Sequence, residues 1–145
     1  MIEITFSTIH VGTSRRVVTL GLDGKDLADE FLLRLAKSDP RGAESIKIRV
    51  QTVAEYDRYE NEFTFRNVGD GIYEFKRPGL RLYAFYDDVA GLKPQLIVAC
   101  NGGTKNTCKE QNADIAKARR LRSRYLEAKS LPNAKIRLIL LHHEN

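Results

Sequence analysis

The chain has 145 residues and a formal net charge of +5, with 42% hydrophobic and 30% charged residues. These proportions are those of one globular domain, and they exclude fibrous and intrinsically disordered proteins. No apolar run is long enough to cross a membrane and no signal peptide is recognisable, so we expect a cytoplasmic protein. Cys100 and Cys108 are predicted to be free thiols. Their spacing, even with His142 and His143, does not match a structural zinc site, so no metal is predicted.

Two alternating apolar segments open the chain and predict a β-hairpin over residues 2–22, with its turn at residues 12–14. Apolar residues at helical spacing predict a first helix over residues 26–35, which ends at the break 38–40. A second amphipathic pattern predicts another helix over residues 43–56. The first third of the chain is therefore predicted to be a hairpin followed by two helices.

After residue 62 the apolar pattern changes to a period of two, and Gly and Pro turns separate short strands. These strands are predicted at residues 63–65, 72–75, 80–86 and 95–99. A turn and a basic helix within residues 105–129 follow, and then a strand over residues 136–141. We predict a single α+β domain over residues 1–145, in which the hairpin and two helices pack on an antiparallel sheet and a basic helix follows the meander.

Positive charge is concentrated in that last helix. From Lys105 to Lys129 there are eight Lys or Arg residues against three Asp or Glu, a surplus of five. The net charge of the whole chain is also +5, so the rest of the chain is neutral. Charge gathered on one turn and one helix is typical of proteins that bind a polyanion, and nucleic-acid phosphate is the first expectation.

Several short motifs occur in a fixed order along the chain. They are Glu30-Phe31-Leu32, Gly71-Ile72-Tyr73-Glu74-Phe75, Arg81-Leu82-Tyr83, Ile97-Val98, and Gly102 with Lys105 before a helix that carries Ile115, Ala118 and Arg122. In this order the chain resembles the RelE/HigB toxin superfamily, in particular its phage-derived Gp49-like branch, over roughly residues 25–128. Residues 1–24 and 130–145 are extensions outside that match.

The resemblance implies a RelE/ParE-like fold, with two N-terminal helices on an antiparallel sheet that has a basic concave surface. It also implies a toxin of a type II toxin–antitoxin system, usually a ribosome-dependent mRNA endoribonuclease (mRNA interferase). Its partners are then mRNA on the ribosome and a helix-turn-helix antitoxin, with no cofactor and no membrane. The family commonly has paired lysines after the glycine turn and a proline at the helix start. This chain has Lys105-Asn106 and Gln111 there, which weakens the expected phosphate contact.

Metal-free RNA cleavage needs a base, a cation to hold the charge on the phosphorane, and an acid. The predicted catalytic residues are Arg81, Lys105, Arg122 and Tyr83. A lysine or tyrosine among cations loses its proton more easily than it does in water, so these groups can serve as acid or base. The predicted RNA-binding residues are Lys109, Arg119, Arg120, Arg124 and Tyr125.

Each of these residues also has a purely structural interpretation. Arg81 lies between Leu80 and Leu82, where a strand arginine can simply face solvent. Arg122 falls on the buried side of its helix, where it can instead pair with Glu74. Tyrosines on alternating strands more often pack in a core than stack on bases.

Two other functions stay open at this stage. One is a ParE-like toxin that acts on DNA gyrase, and the other is a non-catalytic, phage-derived binding protein on the same scaffold. The apolar strand at residues 136–141 can complete the sheet or pair with a second chain, so a homodimer is also open.

Overall fold

A computed structural model describes residues 2–104 and 107–139 of the chain. Along the chain, strands and helices occur in separate runs, as expected for an α+β domain. In chain order they are β1 (Glu3–Val11), β2 (Arg16–Leu22), α1 (Leu27–Ser38), α2 (Pro40–Ala54), β3 (Phe65–Gly69), β4 (Ile72–Arg77), β5 (Leu80–Asp87), β6 (Leu96–Gly103), α3 (Cys108–Ser130) and β7 (Lys135–Ile139). The predicted α+β class is confirmed.

The seven strands form one sheet in the order β3-β4-β5-β6-β2-β1-β7. Four of the six strand pairings are antiparallel, whereas β2 with β6 and β1 with β7 are parallel. The sheet is therefore mixed, which corrects the prediction of a purely antiparallel one. The predicted hairpin is confirmed, and both of the extensions enter this sheet. Strand β2 lies inside the sheet because its run of apolar residues can be buried on both faces.

Each of the two N-terminal helices begins after an aspartate that caps it. The Asp26 side chain accepts from the backbone N–H of Asp29 at the start of α1, and the Asp39 side chain accepts from Gly42 at the start of α2. Pro40 occupies the first turn of α2, where its missing N–H is harmless, so α2 begins earlier than predicted. The break predicted at residues 38–40 is thus a single Asp-Pro junction between the helices.

Apolar side chains on the two faces of the sheet form two separate cores. Leu82 and Ala84 of β5 pack in the core under α1 and α2, and Tyr83 and Phe85 pack in the core under α3. Both faces of the sheet are therefore covered. This differs from the open, basic concave surface that the resemblance implies, because α3 lies across the second face.

Helix α3 starts at a capping box, in which Thr107 and Glu110 satisfy each other's backbone N–H groups. It buries Ala118, Tyr125 and Ala128 against the sheet. Cys108 at its start is exposed and free, and Cys100 is buried and free, so the prediction of free thiols is confirmed. None of the described helices is long and apolar enough to cross a membrane.

Candidate functional site

A row of polar side chains crosses the sheet beneath α3. Arg66 on β3 is the cross-strand neighbour of Glu74 on β4, Glu74 is the neighbour of Tyr83 on β5, and Tyr83 is the neighbour of Asn101 on β6. Arg81 lies two residues before Tyr83 and therefore shares its face of the sheet. These five residues are called the polar row below.

Glu74 is the centre of the polar row and is completely buried. One carboxylate oxygen, Oε2, accepts from Arg66 at 3.0 Å from Nε and lies 2.8 Å from Nη2. The other oxygen, Oε1, lies 3.4 Å from Nε of Arg81. A buried carboxylate is stable only with such cationic partners. The two guanidinium groups therefore hold Glu74 in place.

Two atoms of the polar row, the hydroxyl oxygen of Tyr83 and Oδ1 of Asn101, are buried without a partner in the part of the chain that the structure describes. Oε1 of Glu74 and Nε of Arg81 also form no hydrogen bond there, but they contact each other as an ion pair at 3.4 Å. Buried polar groups in proteins are nearly always paired, so two free ones side by side require a specific reason. Hydrogen-bonding capacity that is left for the polar groups of a substrate is such a reason. The polar row is therefore the candidate site.

A β-bulge brings Asn101 into the row. The register between β5 and β6 shifts next to Tyr83, which leaves Cys100 as the extra residue. Cys100 packs in the core under α3, and the next side chain, Asn101, also faces α3, where its Nδ2 donates to the backbone carbonyl of Asp114 at 3.0 Å. The strand thus presents two consecutive side chains to one face.

The hydroxyl of Tyr83 keeps its proton at neutral pH. Burial raises its pKa above the ordinary value, the carboxylates of Glu74 and Asp114 raise it further, and the guanidinium groups of Arg81 and Arg66 oppose this only in part. The expectation that nearby cations ease proton loss is therefore wrong for this tyrosine. Tyr83 is suited to donate a proton rather than to accept one.

Arg122 reaches the same face of the sheet but not the centre of the row. Its guanidinium carbon lies 5.8 Å from the ring centroid of Phe85, and Gly71 leaves room for the guanidinium, since a Cβ there would lie 3.1 Å from that carbon. The predicted buried-side position is confirmed. The alternative pairing with Glu74 is not formed, because Arg66 and Arg81 occupy that carboxylate.

Two of the predicted RNA-binding residues have partners within the protein, one at the surface and one in the core. Arg119 pairs with Asp70 of the β3–β4 turn at 3.0 Å. Tyr125 is fully buried, and its hydroxyl donates to Asp87, which also accepts from Lys129 at 2.8 Å. A tyrosine held in this way cannot stack on a base, so the predicted RNA contact of Tyr125 is incompatible with this position.

The outer side of α3 carries a stripe of exposed cations. At 100° per residue they fall within an arc of about 80°, over about 22 Å of helix. The residues of this basic stripe are Lys109, Lys117, Arg120 and Arg124. Among the described residues no acidic side chain lies within 4.0 Å of them. Lys117 was missed in the sequence, although its helical spacing from the others was a signal for it.

Helix α3 lies between the polar row and the basic stripe. A helix with its side chains is about 10 Å thick, so one phosphate cannot contact both groups. The polar row reaches solvent at its β3 end, since the side chain of Arg66 is 42% exposed and that of Glu74 is 1% exposed. The predicted catalytic residue Lys105 lies outside the described residues.

Comparisons with protein-family models, curated proteins and solved structures find no match to this chain. Within residues 2–104 and 107–139, no group of three or more His, Cys, Asp or Glu side chains is placed to hold a metal ion.

Proposed function

We propose that this protein is a RelE/HigB-like toxin, an mRNA interferase that cleaves mRNA on the ribosome and is held inactive by a helix-turn-helix antitoxin. The observation that carries the proposal is the polar row, in which one carboxylate lies between two guanidinium groups and beside a protonated phenol. The chain order supports it as well, since β2, two helices and a four-stranded meander precede the basic helix.

The polar row supplies each group that metal-free cleavage of RNA requires. Glu74 accepts the proton of a 2′-hydroxyl, and the freed oxygen attacks the adjacent phosphorus. Arg66 and Arg81 stabilise the negative charge that grows on the phosphorane. Tyr83 donates its proton to the leaving 5′ oxygen, so the products are a 2′,3′-cyclic phosphate and a 5′-hydroxyl. Proton exchange with water then restores both side chains.

Compared with the sequence-based set, this proposal keeps Arg81 and Tyr83 and adds Glu74 and Arg66. The catalytic role of Arg122 stays a prediction, in which it acts as a further cation on the same face of the sheet. Since Arg66 is the most exposed member, the RNA approaches the row from the β3 side. The basic stripe then holds more distant phosphates of the same strand.

Induced expression in a bacterial host, with mapping of transcript 5′ ends, tests the proposal. We expect growth arrest and new ends inside translated regions for the wild type. Glu74→Gln and Arg81→Ala, verified as folded by circular dichroism, should abolish both effects, and the exposed control Lys47→Ala should not. Normal growth with soluble wild-type protein and unchanged ends would contradict the proposal, and arrest with intact message would instead favour the gyrase alternative.

One observation favours a second candidate, a non-catalytic RNA-binding protein. Helix α3 covers the polar row and leaves the basic stripe open, so binding needs no access to the sheet. This candidate predicts that the protein binds single-stranded RNA in vitro while transcript ends in the host stay unchanged. The same 5′-end mapping therefore separates the two.

A further inference from the structure

A cavity lies next to the β6 end of the polar row, between the second half of α1, the end of β6 and the first half of α3. Its volume is about 630 Å³, within the range of small-molecule sites. Its walls include the apolar side chains of Phe31 and Leu35 and the polar side chains of Arg34, Lys37, Thr104, Asp114 and Lys117. It is called the α1–α3 cavity below.

Opposite charges are kept apart in this cavity. Arg34, Lys37 and Lys117 are exposed, and among the described residues none has an acidic side chain within 4.0 Å. The carboxylate of Asp114 is packed against Gly103, where a Cβ would lie 2.3 Å from its Oδ2. Although Asp114 and Lys117 are one helical turn apart, they do not form an ion pair, so neither charge is neutralised by the other.

A nucleotide matches this arrangement of charge. Its phosphate is an anion for the three cations, its base can cover the small exposed edges of Phe31 and Leu35, and base N–H groups can donate to Asp114. A carboxylate has two acceptor oxygens, and the guanine edge carries two adjacent donors, N1–H and N2–H₂, so guanine matches it best.

The cavity is also continuous with surfaces already described. Lys117 belongs both to the cavity and to the basic stripe. Asp114, which forms one wall, accepts through its backbone carbonyl from Asn101 of the polar row. A strand that leaves the cavity can therefore follow the stripe from Lys117 onward.

We propose that the α1–α3 cavity binds one guanosine nucleotide of a single-stranded RNA, with its phosphate on Arg34, Lys37 and Lys117 and its base on Asp114. This inference deepens the proposed function and rests on it for the identity of RNA as the ligand.

The test is equilibrium binding of fluorescein-labelled RNA hexamers to the full chain, without ribosomes. One hexamer has a single guanosine among adenosines, and the other has adenosines only. We expect the wild type to prefer the first about tenfold. Arg34→Ala with Lys37→Ala should weaken binding of both hexamers and lower the slope of log K against log salt by up to about 0.7, because the cations share one phosphate. Asp114→Asn should remove the guanosine preference and leave that slope unchanged.

The double variant Lys25→Ala with Lys47→Ala is the matched control, since it removes two exposed cations elsewhere. An equal loss of affinity in this control, or a wild type without guanosine preference, would overturn the inference, and so would a preference that survives Asp114→Asn.

Cleavage is scored separately. The expected binding pattern without new transcript ends would refute the ribonuclease proposal alone, whereas new ends with binding independent of Arg34 and Lys37 would refute this inference alone.

Discussion

The inner and outer faces of α3 use positive charge in opposite ways. Beneath the inner face, Arg66 and Arg81 of the sheet hold a buried carboxylate, and Arg122 of α3 lies over an aromatic ring. On the outer face, the cations of the basic stripe are exposed and form no ion pair in the described part of the chain. From the sequence alone, both sets of cations were interpreted as parts of one surface that binds RNA. The structure separates a buried ion-pair network from an exposed row of cations. Substitutions in the buried network should therefore lower the free energy of unfolding much more than substitutions in the basic stripe.

The largest loss of stability is expected for Glu74→Ala. This change leaves the guanidinium groups of Arg66 and Arg81 without their buried partner, so the free energy of unfolding should fall by about 3–5 kcal/mol. Urea denaturation monitored by circular dichroism measures this. The exposed Glu44→Ala should change it by less than about 0.5 kcal/mol. A loss below about 1 kcal/mol for Glu74→Ala would show that the network is not structurally important.

A half-buried carboxylate, Asp26, has no cationic partner among the described residues, and it sharpens the comparison with Glu74. Its partners are the Thr19 hydroxyl at 2.6 Å and the backbone N–H of Asp29, and burial is the main cause that raises its pKa to about 6, from 3.8. Between these two values the folded chain holds a proton that the unfolded chain releases. The stability this group contributes is therefore complete below about pH 4 and is lost as the pH rises through 6.

Asp26→Asn removes this titration. Relative to the wild type, the variant should gain stability as the pH rises from 4 to 7, by at most about 2 kcal/mol because the group keeps some contact with solvent. Urea denaturation of both proteins at several pH values measures the difference. A difference that is constant with pH, or that changes in the opposite direction, would contradict the assignment.

Tyr125→Phe tests whether this tyrosine belongs to the core or to the RNA surface. Loss of its hydrogen bond to Asp87 should lower the free energy of unfolding by about 1–3 kcal/mol and leave RNA binding unchanged. Thermal unfolding and RNA anisotropy measure the two effects. Weaker RNA binding at unchanged stability would restore the base-stacking role predicted from the sequence.

The smallest effect on stability is expected on the outer face. Arg120→Ala with Arg124→Ala should change the free energy of unfolding by less than about 0.5 kcal/mol. The same variant should lower the slope of log K against log salt by about 1.4 for single-stranded RNA, because two phosphate contacts are lost. Lys25→Ala with Lys47→Ala serves again as the matched control. An unchanged slope would mean that the stripe does not contact RNA.

Much of the fold was predictable because its signals are local. Alternation and glycine turns gave the β1–β2 hairpin and most of the meander, and Asp26 with Asp39-Pro40 marked the two helices. Strand β3 was placed at residues 63–65 but covers Phe65–Gly69, since it is a short, largely polar edge strand with weak alternation. The parallel pairing of β2 with β6 joins distant segments, so no local pattern could show it.

The candidate site was predictable only in part. Arg81 and Tyr83 were identified and do lie together. Glu74 was considered only as a partner of Arg122, although its alternation with Ile72 placed it at a core position, where a carboxylate is unusual. Asn101 could not have been found, because the bulge that turns it toward α3 depends on the pairing of β5 with β6.

The division of roles between the two faces of α3 is tested most directly by the kinetics of mRNA cleavage on programmed ribosomes. We expect Glu74→Gln to lower kcat at least a hundredfold with little change in KM, because it removes the base. Arg120→Ala with Arg124→Ala should raise KM severalfold with little change in kcat, because it removes only binding. If Glu74→Gln cleaves at the wild-type rate, or if the wild type does not cleave, the account is wrong.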